Sequence, residues 1–299
     1  MDHAAFNPPP GEAQELEPGI RRILAPNPSP MTFRGTNTYL LGRRRVAVID
    51  PGPDDPAHLA AILGALGPGE TVSHILLTHS HVDHSALVPA LARATGAPVL
   101  AYGDSAAGRD PQIAAIAGLG GGEGIDAGFA PDHCLADGDT VEGDGWSLKA
   151  IWTPGHMGNH MCFAAADAVF TGDHVMGWAT SMVSPPDGDL TAFMASLEKL
   201  QGRHDRVFYP AHGAPVTDPE ARLAELIAHR RGREAQILAA LDSGPATVAA
   251  LTARIYTDVA PSLLKAAGRN VLAHLIDLTR RGLAAPQGEL RAEAVFTRI

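Results

Sequence analysis

The stretch Thr78–His84, THSHVDH, puts three histidines and an aspartate within six residues, directly behind the apolar run Ile75-Leu76-Leu77. Imidazole nitrogen and carboxylate oxygen together suit zinc and other first-row divalent ions. Sequence neighbours cannot all reach one ion without strain, whereas alternating residues can. His79 and His81 are therefore expected to share one ion while Asp83 and His84 turn toward another. Such a site needs more donors, and three stand in comparable places: His156 in AIWTPGH, Asp173 in AVFTGD and His212 in RVFYPAHG. Each follows an apolar run, and in layered α/β proteins chemistry collects at the carboxyl ends of strands. One isolated histidine would read as a core or surface residue; seven candidate ligands at four strand ends read as a metal site.

The elements that must carry these residues alternate through the first 220 positions. Short runs rich in β-branched residues (RVAVID, SHILLT, APVLAY, WSLKAIW, AVFTGD, RVFYPAH) are separated by helical periodicity. Asp55 and Pro56 open one helix, with Leu59, Ile62, Leu63 and Leu66 on one face and Gly67 after it. Asp189 opens another, with Leu190, Phe193, Leu197 and Leu200 inside and Gly202 beyond. Strands alternating with helices predict a layered α/β fold. The Gly-rich region 103–138 reads as a surface loop or, more sharply, as a cover over an active site. A long helix is expected from Asp218-Pro219, after which the alternation stops. Val248, Leu251 and Ile255 share one helical face, and Leu264, Ala267, Val271, Leu275 and Leu278 another. Leu290, Ala292, Ala294 and Phe296 then alternate as a strand behind the turn at Pro286–Gly288. Helices followed by a β-hairpin of this size predict a winged-helix unit, with the change of domain near 225–235.

The pattern H-x-H-x-D-H, followed by separated His, Asp and His, resembles the metallo-β-lactamase superfamily. That resemblance implies an αββα sandwich over residues 1–228 and a winged-helix-like domain over 229–299. It implies that His79, His81 and His156 hold a first metal ion, that Asp83, His84 and His212 hold a second, and that Asp173 bridges the two. Asp50, in VAVIDPG, matches the position that orients the first-metal ligands from behind. His160 belongs to the family pattern outside its ligand set and is expected behind the ligands or facing substrate. His174, beside Asp173, is expected to be structural. The segments APNPSPMTFRGTNTYLLG, TPGHMGNHMCF and YPAHGAPVTDPEARLAELIAHRRGREAQIL are similar to the β-lactamase-like protein 2 subgroup, and the resemblance runs from about residue 20 to the end. The cofactors so implied are two divalent ions, zinc foremost, with manganese or iron as alternatives. The implied chemistry is hydrolysis by a hydroxide held between them, with Asp83 taking or orienting a proton. Ser80 is not expected to act as a nucleophile.

The substrate stays open at this level. The subgroup resemblance implies single-stranded RNA, and Arg230, Arg231 and Arg233 offer a basic cluster. The acidic balance opposes it: 26 acidic against 12 basic residues precede position 221, and 7 against 11 follow, in a chain of net charge -10. A thioester or ester of the hydroxyacylglutathione type is the alternative, and an iron-dependent oxidoreductase on the same fold a further one. A winged-helix DNA binder with the larger domain as scaffold is set aside because all seven ligands are retained. β-Lactam cleavage is set aside because the N-terminal stretch lacks the basic and apolar regions of an export signal. No run of about 18 apolar residues appears, and two cysteines are too few for a disulfide framework. A cytoplasmic protein with no membrane contact is expected, its winged helix positioning substrate or pairing two copies as a homodimer.

Overall fold

Period-two alternation decides which face of each strand is covered. In the computed structural model, which describes residues 5–299, two sheets stack face to face. The first four residues, part of the stretch read for an export signal, lie outside the described residues. The first sheet runs β1 (Ala13–Glu17), β2 (Ile20–Leu24), β3 (Asn37–Leu41), β4 (Arg45–Ile49), β5 (Thr71–Leu76), β6 (Val99–Ala101) and β7 (His133–Cys134) in simple order. It is antiparallel up to β4 and parallel beyond. The second holds β8 (Thr140–Glu142), β9 (Ser147–Trp152), β10 (Met161–Ala165), β11 (Ala168–Gly172) and β12 (Val207–Pro210), in the order β12-β11-β10-β9-β8. Only β11 and β12 pair in parallel there.

Tyr39, Leu41, Ile49 and Leu76 from the first sheet meet Ala150, Phe163 and Phe170 from the second. The Tyr39 and Phe170 rings lie 5.1 Å apart, and each large side chain buried here contributes roughly 1.5–3 kcal/mol. The alternate residues face outward. Leu40, Val48 and Ile75 pack under α1 (Pro56–Gly64) and α3 (Val88–Thr95), which flank the short α2 (Val82–Ser85). Beyond the one-turn α4 (Pro111–Ala114), Cys162 and Val169 pack under α5 (Leu190–Leu200) and α6 (Pro219–Asp242). The result is the expected αββα sandwich. Asp55, Asp189 and Asp218 cap α1, α5 and α6 through their side chains, as read from the sequence. The first of these helices ends at Gly64, before the Gly67 expected to close it.

The remaining residues form a smaller unit with its own core. It contains β13 (Ala246–Thr247), α7 (Val248–Ile255), α8 (Leu264–Arg280), β14 (Ala284–Pro286) and β15 (Val295–Arg298). α6 crosses position 228 without a break and contributes Ile237 and Leu241 to this core. Ala267, Val271, Leu275 and Leu278 are buried as the periodicity predicts, while Leu264 at the start of α8 is exposed. The final strand begins only at Val295 rather than at Leu290, because the chain turns over residues 291–293 before pairing with β14.

The Gly-rich region is tied down on both sides. Val82 N donates to Gly124 O at 2.8 Å, next to the histidine cluster. On the other side, Arg269 donates to Leu119 O and Lys265 pairs with Glu123 at 2.5 Å. Leu272 and Ile276 of α8 pack on Ile113 and Leu119. The region is a wall shared by both units.

Candidate metal centre

Four strand ends deliver the seven residues to one place. The loop after β5 brings His79 and His81, and α2 carries Asp83 and His84. His156 follows β9, Asp173 follows β11, and His212 follows β12. The donor atoms form two groups, His79–His81–His156–Asp173 and Asp83–His84–His212, each with its atoms within 4.8 Å of one another. His81 Nδ1 lies 2.8 Å from His79 Nε2 and 3.0 Å from His156 Nε2. Asp173 spans the groups: Oδ2 is 3.5 Å from His156 Nε2, and Oδ1 is 3.2 Å from His212 Nε2. Asp83 Oδ2 sits 3.4 Å from His84 Nε2 and 3.3 Å from His212 Nε2.

The hydrogen bonds behind the rings decide which nitrogen faces inward. His156 Nδ1 donates to Met182 O at 2.7 Å, His212 Nδ1 to Gly35 O at 3.2 Å, and His84 Nδ1 to Asp50 Oδ2 at 3.0 Å. Each proton so placed leaves the Nε2 lone pair aimed at the cluster. Asp50 is buried at the end of β4 with φ 51°, a left-handed conformation that Asp adopts more readily than most residues. Its carboxylate also accepts Thr78 N at 2.8 Å and Thr78 Oγ1 at 2.7 Å. Asp50 thus reaches His84 directly and His79 through Thr78, whereas the sequence reading linked it to the first group alone.

The two groups differ in charge. Burial, then the neighbouring His84 and His81, hold His79 well below the ordinary histidine range. Burial and His156 bring His81 down to about 3, and burial lowers His156 as well. These three rings are neutral. In the second group burial also opposes charge, but the carboxylates prevail. Asp83 and Asp173 hold His84 well above its ordinary value, and Asp173 and Asp83 hold His212 up to about 9. The same pairs, against burial, keep Asp83 and Asp173 ionised. A cation fits between these carboxylates and rings, and one bound there would take the place of the protons that the carboxylates otherwise hold on His84 and His212. His84 Nε2 and Asp173 Oδ1 are in addition buried without a hydrogen-bond partner. Inward lone pairs, paired carboxylates and orphaned donors are what a divalent-ion site requires.

His160 lies behind this cluster. Its ring is 5.1 Å from that of His79, Nδ1 is 2.9 Å from Thr153 Oγ1, and Nε2 has no partner. Gly172 allows the approach, since a Cβ there would lie 2.7 Å from both His160 Nε2 and Thr78 Oγ1. His174 is buried against Phe193, its ring 4.7 Å away. Ser80 is buried, and its hydroxyl accepts from Asn159 Nδ2.

His81, Asp83, His156, Asp173 and His212 open onto a cleft of about 890 Å³. Met31, Met176 and Trp178 line it from the larger unit, and Tyr256, Val259 and Leu263 close it from the smaller one. The three arginines expected to guide a nucleic acid do not line this cleft. Arg230 is buried, Arg231 pairs with Glu198, and Arg233 lies over the Tyr256 ring. Of the other cations on or just after α8, Lys265 and Arg269 line the cleft, whereas Arg280 pairs with Asp110 and Asp189, and Arg281 with Glu234 and Asp277. The Arg230–Arg231–Arg233 cluster is therefore no single basic face, because successive helix positions point to different sides. The carbonyls of Gly35 and Met182, which orient two of the rings, were beyond sequence reasoning, since a backbone acceptor leaves no residue-type signature.

Residues 31–212 match the model of the metallo-beta-lactamase superfamily, and residues 247–292 that of the beta-lactamase associated winged helix domain. The chain is similar to the lactamase-like protein adaB of Aspergillus niger, with 32% identity over 80% of this chain and 69% of that protein. It is similar to the atrochrysone carboxyl ACP thioesterase AgnL7 of Paecilomyces divaricatus, with 35% identity over the same shares. A beta-lactamase domain protein from Burkholderia ambifaria superposes with a TM-score of 0.82 at 22% identity, over 100% of this chain and 96% of that one. By matched domain and by relatives alike, the chain belongs to the metallo-beta-lactamase superfamily and carries a C-terminal beta-lactamase-associated winged helix domain.

Proposed function

We propose that the protein is a metal-dependent hydrolase of acyl thioesters, with its acyl group held in the cleft between the two units. The observation that carries this reading is the junction of a two-group donor cluster with a mainly apolar cleft. In it, His79, His81 and His156 would hold one divalent ion, and Asp83, His84 and His212 a second, with Asp173 shared between them. Zinc suits this set of imidazole and carboxylate donors. Bound ions would supply Lewis acidity toward a carbonyl oxygen and lower the pKa of a water. The rest falls to the chain. Asp83, ionised and on the cleft side of the cluster, accepts the proton from the attacking water. Trp178, Met31, Val259 and Leu263 exclude solvent around the acyl group. Residues 1–228 carry the donors and residues 229–299 the roof, the division that the resemblance to the β-lactamase-like protein 2 subgroup implies. No helix among the described residues is long and apolar enough to cross a membrane. Cys134 and Cys162 are free thiols, which fits a reducing cytoplasm.

Relatives named thioesterases support this substrate class over RNA, and so does the position of Arg230, Arg231 and Arg233 away from the cleft lining. The test is thiol release from an aromatic acyl thioester by zinc- or manganese-loaded protein, with end-labelled single-stranded RNA run beside it. Thiol release that falls by ~10²-fold or more in Asp83→Ala, a typical cost of losing a general base, is the expected result. Intact thioester with cleaved RNA overturns the thioesterase reading.

A further inference from the structure

Two of the seven donors depend on a short strap that belongs to no helix or strand. Met182 O in this strap takes the Nδ1 proton of His156 at 2.7 Å. One residue earlier, the Ser181 hydroxyl donates to Asp173 O and, at 3.1 Å, to His174 O. The strap therefore sets both a ring of the first group and the main chain beneath the shared carboxylate.

The strap itself is held from the C-terminal side. Arg230, on α6, donates Nη2 to Ser181 O and, at 2.9 Å, Nη1 to Asn270 Oδ1. Asn270, on α8, accepts Val183 N at 3.2 Å through the same oxygen. Arg230 is 3% exposed and its guanidinium lies 5.1 Å over the Phe193 ring. Its partners are a carbonyl, an amide oxygen and an aromatic face rather than a carboxylate. Burying a cation in such company is costly, and an apolar residue would pack α6 at less cost. What the fork provides is geometry: two donors in one plane join the strap to the winged-helix domain.

We propose that Arg230 and Asn270 are positioning residues of the metal centre. Through the strap at 181–183, the C-terminal domain fixes His156 and Asp173, so it acts as a clamp on the site as well as a roof over the cleft. This inference rests on the reading of the seven donors as a metal centre. It is independent of which bond is hydrolysed.

Cobalt(II) titration of the full chain tests it, with affinity read by chelator competition and geometry by the visible absorption bands. The parent is expected to bind two ions. Arg230→Met is expected to keep the far-ultraviolet dichroism of the parent, to weaken one of the two ions by ~10-fold, the low end of what outer-shell partners cost, and to shift the bands. Arg231→Met, one residue along on the exposed face, is expected to match the parent. Parent-like affinity and bands in a folded Arg230→Met overturn the clamp. Should Arg230→Met not fold, Asn270→Ala decides in the same way: weakened cobalt binding supports the clamp, and parent-like binding overturns it. A parent that takes up no cobalt overturns the metal centre, and the clamp with it.

Discussion

Asp50 shows how much of the site one carboxylate organises. It accepts from Thr78 N, Thr78 Oγ1 and His84 Nδ1, and so fixes a ring of the second group and the turn that launches the first. An asparagine in its place would be nearly the same size, but one oxygen becomes an amide that donates. Facing Thr78 Oγ1 and His84 Nδ1, that amide meets two donors, and the imidazole must turn or change tautomer. Asp50→Asn is therefore expected to fold and to lose ~10–100-fold in zinc affinity. Calorimetric titration of metal-free protein checks this. Parent-like affinity would mean that the rings hold their orientation without Asp50.

At the scale of elements, the site depends on close approaches that only glycine allows. Gly155 precedes His156 with φ 136°, and a Cβ there would lie 2.3 Å from the backbone of Phe193 on α5. Gly155→Ala is expected to cost about 2–3 kcal/mol, since neither backbone segment can yield easily. Gly69→Ala, in a turn with φ 79° and open space around it, meets only the left-handed penalty of about 1–2 kcal/mol. Urea midpoints of the two variants separate these cases, and equal losses would show that the close approach of Gly155 to α5 adds nothing to the left-handed penalty. The strands that carry donors were legible because β5, β9, β11 and β12 are apolar runs ending in ligands. β1 was not legible: its sequence AQELE is polar and pairs at the sheet edge. β7 has only two residues, too few for any pattern. Arg230 was misread with its neighbours as a basic cluster, although the register held the answer. Leu223, Arg230 and Ile237 recur at sevens on α6, which puts the arginine on the buried face.

For the molecule as a whole, the histidines make the stability of metal-free protein a peaked function of pH. Burial brings His81, His174 and His274 down to about 3 and His58 to about 4. The unfolded chain protonates them near 6.5 and the folded chain does not, so below 6.5 stability rises with pH. His84 and His212 act in the opposite sense. Their folded values are raised, His212 to about 9, so their contribution is complete below 6.5 and is lost as pH climbs through those raised values, for His212 through about 9. Asp83 and Asp173, held low, add stability that disappears only as pH falls below the ordinary carboxylate range. Together these place the maximum near pH 6.5, with a fall on both sides. Metal changes the alkaline limb alone. An ion in the second group replaces the protons on His84 and His212, so its stabilisation does not titrate away toward pH 9. Thermal melts of chelator-treated protein from about pH 5 to 9 are expected to peak near 6.5, and zinc-loaded protein is expected to stay several degrees higher at pH 9. A metal-free profile flat from 6.5 to 9 would show that His84 and His212 are not protonated in the fold, and that the second group is held together by something other than its carboxylates.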